Sequence, residues 1–235
     1  MHKQIEKIKQ NEGKPRVLKN IFNKSEIEKF LSLYEELPIT VHNKKQNVIK
    51  KRWLQEYGKE LEKLFYERLS NEIGKFKYDN LKTDQGDDIL GLFQESYNPI
   101  GLHIDGGFNL NDLIYKQTLI PLTPVGSTVI FKNRFYGQST NFTTDKNELE
   151  KKELNYGQNK RSSEHIGLYG KKPFDSDIHK KYVNHENIEN LVGLEVELIY
   201  EWDVGSMLIF DRTNIHCSSS VIDGKKIGLT TFTKK

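Results

Sequence analysis

The chain has 235 residues, of which 35% are hydrophobic and 29% are charged, and its formal net charge is +3. That length suits one folded domain with a substantial core, and the composition is ordinary for a soluble globular protein. The small net charge argues against nucleic-acid binding, and the lysines near the N-terminus are better explained by a solvated helix or tail.

Cysteine usage and hydropathy indicate where the protein works. Cys217 is the single cysteine, so no disulfide can form within the chain and a reducing compartment is expected. The N-terminus lacks the apolar segment of a secretory signal, and no apolar run approaches the roughly 20 residues that a membrane span needs. We therefore expect a soluble, cytoplasmic protein with no membrane partner.

The region 16–80 is predicted to form a strand followed by two helices. Residues 16–22 alternate in hydrophobicity as a short strand does. Ser25, with Glu28 three residues later, has the pattern of a capping box, which predicts that a helix begins here and is ended by Pro38.

A second helix is predicted over about 50–74. Its apolar stripe begins at Trp53 and Leu54, and Gly74 is a typical residue for the end of a helix. The aromatic residues of the stripe stand at helical spacing, which favours packing against a sheet over a ligand-binding role.

Between residues 89 and 233 the pattern changes to short β-rich runs bounded by Gly, Pro and Asn. Short strands that follow helices predict a mainly β fold of the α+β class, a sandwich or barrel with the helices packed on one side. The predicted strands span residues 89–97, 101–105, 117–122, 127–132, 194–202, 206–211, 215–221 and 225–233.

Residues 133–190 interrupt this pattern, because they are polar and show little periodicity. So long a segment without clear elements is usually functional, mobile or misread, and we interpret it as an insertion that can cover the mouth of a pocket. Its histidines, at positions 165, 179 and 185, are expected to be surface residues rather than a second metal site. The aromatic residues expected to shape the choice of substrate are Phe135, Tyr136, Tyr156 and Tyr169.

One motif carries chemistry: residues 101–107, Gly-Leu-His-Ile-Asp-Gly-Gly, read together with the distant His216. Because His103 and Asp105 are two residues apart on a predicted strand, their side chains point to the same side. With His216 they can occupy one face of a metal ion and leave the opposite face free. That arrangement is the ligand set of non-haem Fe(II) oxygenases.

Around these residues the chain resembles the 2-oxoglutarate/Fe(II)-dependent dioxygenase superfamily, and within it the prolyl-hydroxylase-like branch. The likeness runs in one order along the chain and covers most of residues 16–132 and 194–233. The parts that carry it are 16–33 (opening strand and capped helix), Tyr97, His103 with Asp105 (proximal metal motif), 117–122 (core strand), 205–210 with His216 (the strand that leads to the distal histidine) and 224–230 (closing strand).

The resemblance implies one domain over residues 1–235, with a double-stranded β-helix (jelly-roll) core over 89–233 and N-terminal helices packed on one sheet. It implies that His103, Asp105 and His216 bind Fe(II) and are the catalytic residues. It also implies 2-oxoglutarate as cosubstrate and O₂ as oxidant, with release of succinate and CO₂ as a C–H bond is hydroxylated. The substrates it implies are a peptide prolyl residue, a free amino acid or another small metabolite.

In this superfamily a basic residue about ten positions after the distal histidine holds the cosubstrate, and Lys226 stands at that position. Strand alternation separates Lys226 and Gly228 from Lys225, which points to the other face. The face of Lys225 also carries isoleucine and leucine and should pack on the helices, so Lys226 should line the pocket. Tyr97 and Thr118 are further candidates for cosubstrate contacts.

Two residues beside the distal histidine are interpreted separately. Arg212 either contacts the substrate or completes a turn. Cys217 neighbours His216 on a predicted strand, so it should face away from the metal as a buried structural thiol.

Three other functions are considered. An iron-dependent halogenase lacks the metal-binding carboxylate, so Asp105 argues against it. A non-catalytic cupin-like module that binds a metal or another ligand would not need His103, His216 and Lys226 as well as this carboxylate. A nucleic-acid demethylase of the same superfamily is disfavoured by the weak positive charge.

Overall fold

A computed structural model describes residues 2–44, 47–80, 82, 86, 88–107, 113–137, 140–142, 170–220 and 224–235. The helices within these ranges are α1 (His2–Lys9), α2 (Lys24–Glu36), α3 (Lys59–Ile73), α4 (Ser176–Tyr182) and α5 (Ile188–Leu191). The strands are β1 (Arg16–Leu18), β2 (Val41–Asn43), β3 (Val48–Leu54), β4 (Lys77–Tyr78), β5 (Ile89–Ser96), β6 (His103–Ile104), β7 (Ile114–Pro121), β8 (Ser127–Arg134), β9 (Thr140–Asn141), β10 (Val196–Glu201), β11 (Met207–Asp211), β12 (Asn214–Ser218) and β13 (Lys226–Lys234). Among the described helices, none is long and apolar enough to cross a membrane.

The described strands form two antiparallel sheets that face each other. The eight-stranded sheet has the order β1-β11-β7-β13-β5-β3-β2, with β4 beside β13, and the five-stranded sheet has the order β10-β8-β12-β6-β9. Ile130 and Tyr200 of the smaller sheet pack against Leu208 and Phe210 of the larger one. This arrangement confirms the predicted jelly-roll fold, mainly β with packed helices.

Helices α2 and α3 bury their apolar faces on the eight-stranded sheet. Phe30 of α2 and Phe65 of α3 both contact Trp53 of β3, with ring centroids 5.9 and 6.0 Å from it. Phe93 of β5 lies 6.2 Å from the same ring, and all four side chains are fully buried. Burial of each such side chain contributes about 1.5–3 kcal/mol, so this cluster fixes the helices on one face and leaves the other face to the second sheet.

The second helix begins later than the sequence predicts, at Lys59. Trp53 and Leu54 belong to β3, which pairs with β5, so their assignment to a helical stripe is wrong. Two adjacent apolar residues fit a strand as well as a helix, and the pairing with β5 decides between them. Gly58 separates the two elements with a left-handed φ of 62°, which a glycine adopts without strain. Gly74 ends the helix as predicted.

Helix α2 is capped by Asn23 and Glu26 and not by the predicted pair, Ser25 and Glu28. Asn23 Oδ1 accepts a hydrogen bond from the Glu26 N–H at 3.0 Å, and the Asn23 N–H donates to Glu26 Oε2 at 2.8 Å. The reason is a tertiary contact, because Arg68 of α3 donates to Glu26 Oε1 at 2.6 Å. This ion pair holds Glu26 at the position from which it can cap the helix.

Part of the segment predicted as an insertion forms a further core. Residues 138–139 and 143–169, which include His165, Tyr156 and Tyr169, lie outside the described residues. From residue 170 onward the chain forms α4 and α5, which pack on the face of the five-stranded sheet that points away from the larger sheet. The side chains buried in this contact include Phe174, Val183, Leu191, Val129, Phe131 and Cys217.

The capping pair can be tested by substitution. We expect Asn23→Ala to lower the free energy of unfolding by about 1 kcal/mol, because it removes the side chain that satisfies the N–H of Glu26. Ser25→Ala, the matched control, should change it by less than about 0.5 kcal/mol. Urea unfolding followed by circular dichroism measures both. A larger loss in Ser25→Ala than in Asn23→Ala would contradict the observed cap.

Candidate metal centre

The pairing of β6 with β12 brings the three predicted metal ligands together. His103 lies directly opposite His216 in the two strands, and their ring centroids are 4.1 Å apart. Asp105 Oδ2 lies 3.7 Å from His103 Nε2 and 3.2 Å from His216 Nε2. Among the described residues this is the one group of side chains that could hold a metal ion. His179 and His185, expected at the surface, are half-buried and lie outside this group.

Backbone carbonyls orient both imidazoles. His103 Nδ1 donates to Gly101 O at 2.7 Å, and His216 Nδ1 donates to Asn214 O at 3.0 Å. A carbonyl oxygen only accepts hydrogen bonds, so Nδ1 of each ring carries a proton. The lone pair on Nε2 is therefore directed toward the group's centre, as a metal ligand requires.

The charge state of the group also suits a divalent metal. Burial and, to a smaller extent, the neighbouring His216 lower the pKa of His103 to about 4, so the ring is neutral at pH 7. Burial alone would raise the pKa of the Asp105 carboxyl, but its contacts with the two imidazoles and with Gln117 hold that pKa below its usual range. Two imidazoles and one carboxylate are the donor set that Fe(II) takes in oxygenases, so these residues fit the metal.

Gln117 is a member of the centre that the sequence did not single out. Its Nε2 donates to Asp105 Oδ2 at 3.1 Å and lies 3.4 Å from His216 Nε2. The side chain is buried, and within the described structure its Oε1 atom has no hydrogen-bond partner. An amide side chain at the start of the predicted strand 117–122 was the available signal, but the sequence alone did not show which face of β7 it occupies.

Arg212 anchors the backbone beneath the centre. Its Nε donates to Asp105 O at 2.9 Å, and its Nη1 donates to Asp79 Oδ2 at 2.5 Å and to Thr233 O at 3.1 Å. The side chain is only 2% exposed. These contacts assign Arg212 a structural task, holding the loop that carries Asp105, rather than a contact with substrate.

Lys226 lies on the inner face of β13, as strand alternation predicts. It is 2% exposed, its Nζ donates to Ser127 O at 3.0 Å, and it stands 4.2 Å from the centroid of the Trp202 ring. Burial lowers its pKa to about 7. No carboxylate of the described chain pairs with this amine. A buried amine without a counter-ion suits an anionic ligand.

The neighbouring lysine provides the contrast. Lys225 points to the opposite face, where its Nζ pairs with Glu95 Oε2 at 3.0 Å. Gly228, two positions from Lys226, leaves room for the ring beside the amine, since a Cβ added there would lie 2.7 Å from Trp202.

Tyr97 and Thr118 are not brought beside Lys226. Tyr97 is 38% exposed, and its hydroxyl donates to Glu95 Oε1 at 2.5 Å, on the face of β5 that contacts α2. Thr118 lies opposite Ile209, a residue of the core beneath α2 and α3. Because successive residues of a strand alternate between faces, these positions do not support contacts with a ligand at Lys226, and both assignments stay predictions.

Cys217 behaves as the sequence predicts. Its thiol is buried in the core between the five-stranded sheet and residues 170–194, on the face opposite to His216. Burial raises its pKa, which keeps the thiol protonated and unreactive.

Solved structures with a similar fold include a 2OG-Fe(II) oxygenase and proteins that bind or depend on 2-oxoglutarate. An oxidoreductase of the 2OG-Fe(II) oxygenase family from Burkholderia pseudomallei matches with a TM-score of 0.51 at 9% identity, covering 98% of this chain and 89% of that one. HygX from Streptomyces hygroscopicus, with nickel and 2-oxoglutarate bound, matches with 0.50 at 14% identity, covering 100% and 86%. The non-haem α-ketoglutarate-dependent carbocyclase SnoK from nogalamycin biosynthesis matches with 0.52 at 11% identity, covering 98% and 83%. No protein-family model and no curated protein matches the chain. The chain therefore shares the fold of the 2-oxoglutarate/Fe(II) oxygenases.

Proposed function

We propose that the protein is an Fe(II)- and 2-oxoglutarate-dependent dioxygenase, an oxidoreductase that hydroxylates an unactivated C–H bond with release of succinate and CO₂. The substrate class we propose is a peptide prolyl residue, an amino acid or another small metabolite. The observation that carries the proposal is the convergence of His103, Asp105 and His216 in the same sandwich as the buried amine of Lys226. A metal site and a buried amine within one sandwich are what a chelating dicarboxylate cosubstrate needs.

The three ligands suit oxidation chemistry because they leave coordination positions open. Two imidazoles and one carboxylate on one face of an ion leave the opposite face to exogenous ligands. Fe(II) held by these three residues would supply the activation of O₂, and 2-oxoglutarate would supply the electrons. The protein's own task is to place the ligands and to exclude water.

Two residues hold the carboxylate ligand from different directions. The Gln117 amide bonds Asp105 Oδ2, and the Arg212 guanidinium bonds the Asp105 carbonyl. With side chain and backbone both fixed, the carboxylate is kept close to the imidazoles before a metal binds. Such preorganisation matters, because metal sites tolerate misplacements of only about 0.5 Å.

Lys226 would bind the carboxylate of 2-oxoglutarate that is remote from the metal. Its amine lies on a strand of the larger sheet but bonds the carbonyl of Ser127, at the start of β8. The same β8 pairs with β12 and places Ile130 opposite His216. In this water-poor interior an ion pair is stronger than at the surface, so a carboxylate would restore the charged form of the lysine.

The first test of the proposal is optical. We expect anaerobic addition of Fe(II) and 2-oxoglutarate to give a weak visible absorption band, and Asp105→Ala to abolish it, because the metal loses its anionic protein ligand. Asp88→Ala, which changes a solvent-exposed carboxylate paired with Lys82, is the matched control. After exposure to O₂, succinate formation should rise when amino acids or proline-rich peptides are added. Absence of the band in folded, metal-loaded protein would refute the proposal, whereas a band without any succinate would indicate a non-catalytic binding module.

The second test concerns cosubstrate binding. We expect Lys226→Ala to weaken 2-oxoglutarate binding to the Fe(II) protein roughly tenfold or more, since a hydrogen bond to a charged group is lost, and Lys225→Ala to change it little. Because the pKa of free Lys226 is about 7 and a bound carboxylate raises it, affinity should fall as pH increases above 7, by up to about tenfold per unit.

Anaerobic calorimetric titration between pH 6.5 and 8.5 measures both effects. Lys226→Arg, whose guanidinium stays charged throughout, should flatten the pH dependence. Equal losses in Lys226→Ala and Lys225→Ala would refute the role of Lys226.

The third test concerns stability without ligand. Lys226 has its ordinary pKa of 10.5 in the unfolded chain and about 7 in the fold, so between these values the unfolded chain binds the extra proton and stability falls as pH decreases. We expect Lys226→Met to raise the free energy of unfolding at pH 7, by up to about 4 kcal/mol, and the gain to disappear toward pH 10.5. Urea unfolding at several pH values measures it.

Lys225→Met is the control for this substitution. It should destabilise the protein, because Glu95 is buried and loses its ion pair. If Lys226→Met destabilised the protein equally at pH 7, Lys226 would be a structural residue and not a binding residue.

A further inference from the structure

The peptide group between Gly101 and Leu102 is hydrogen-bonded at both ends. Its carbonyl oxygen accepts the bond from His103 Nδ1 at 2.7 Å, and its N–H donates to Glu186 Oε1 at 2.6 Å. A carboxylate that accepts from a peptide N–H polarises the whole group and makes its carbonyl a stronger acceptor. The Glu186 carboxylate is thus linked to the His103 imidazole through a single peptide.

Glu186 is held in place by its own surroundings. Its Oε2 accepts from Asn190 Nδ2 at 3.1 Å, and its backbone carbonyl accepts from His179 Nε2 at 2.9 Å. Its backbone N–H donates to the carbonyl of Val183 at 3.0 Å. The carboxylate is therefore fixed by the segment that carries α4 and α5, independently of any metal.

Gly101 lies close to the Glu186 carboxylate. A Cβ added at position 101 would lie 2.9 Å from Glu186 Oε1, closer than real Cβ atoms approach an oxygen. Gly101 is not among the glycines with a positive φ, so its backbone does not require glycine. A methyl group at this position would instead displace the carboxylate from its contact with Leu102.

We propose that Glu186 is a positioning residue of the metal centre, which sets the orientation and donor strength of His103 through the Gly101–Leu102 peptide. The inference rests on the proposed metal site. Carboxylates commonly bond the outer nitrogen of a metal-bound histidine directly, and here one peptide group stands between the two. The described part of the polar segment thereby contributes to the centre from the outer face of the sheet.

The affinity of the metal-free protein for Co(II) tests this proposal without measuring enzyme turnover. We expect Glu186→Ala to weaken Co(II) binding roughly tenfold, measured by competition with a chelating dye. Glu186→Gln keeps an acceptor oxygen without the charge and should recover part of the loss. Gly101→Ala, whose methyl group would displace the carboxylate, should weaken binding as Glu186→Ala does.

Asp175→Ala is the matched control for a purely structural effect. Asp175 caps α4 of the same segment by accepting from the N–H groups of Asp177 and Ile178, so its loss loosens the segment but leaves Glu186 in contact with Leu102. We expect similar losses of thermal stability in Asp175→Ala and Glu186→Ala, and a loss of Co(II) affinity in Glu186→Ala alone.

The outcomes separate the two proposals. If the unaltered protein bound Co(II) and all variants bound it equally, or if Asp175→Ala weakened binding as much as Glu186→Ala, the role of Glu186 would be refuted. If the unaltered, folded protein did not bind Co(II), the metal centre itself, and the proposed function with it, would be refuted.

Discussion

The candidate site depends on the cross-strand pair of His103 and His216. β6 contributes only two residues to its sheet, too few for backbone hydrogen bonds alone to hold a ligand in register. Contacts from three directions supply the missing restraint, from Arg212 on the Asp105 backbone, from Gln117 on its carboxylate and from Glu186 on the Leu102 N–H. The candidate metal ligands are therefore positioned by residues outside their own strands, and each of these contacts is a place where the geometry can be lost.

The second organising feature is the free-energy cost of burying the amine of Lys226. Lys225 and Lys226 are neighbours with different contacts. Lys225 pairs with Glu95, whereas Lys226 contacts a backbone carbonyl and an aromatic ring. An ammonium group away from water and without a counter-ion reduces stability. Folds retain such groups chiefly where a ligand completes them. The sandwich tolerates this cost because its main apolar core lies elsewhere, beneath α2 and α3.

Strand alternation explains what could be predicted from the sequence. It places His103 with Asp105 and separates Lys226 from Lys225, because a period of two holds whatever the neighbouring strand is. It could not choose between Gln117 and Thr118, since the face that each occupies depends on how β7 pairs with β11 and β13. Two further features depend on tertiary contacts that the sequence does not show. One is the Arg68 contact that selects the capping pair of α2, and the other is the pairing with β5 that makes the start of the predicted second helix a strand. Glu186 lies some 80 residues from Leu102, so no local pattern points to it.

The packing of Trp202 on Gly228 couples three positions. The ring fills the space that a side chain at 228 would need and stands over the amine of Lys226. A side chain introduced at 228 alone would collide with this tryptophan, since a Cβ there would lie 2.7 Å from the ring. Changes at 202 and 228 should therefore be strongly non-additive, because a side chain at 228 fits only where the tryptophan is replaced by a smaller residue, and that replacement also removes the ring from the amine of Lys226.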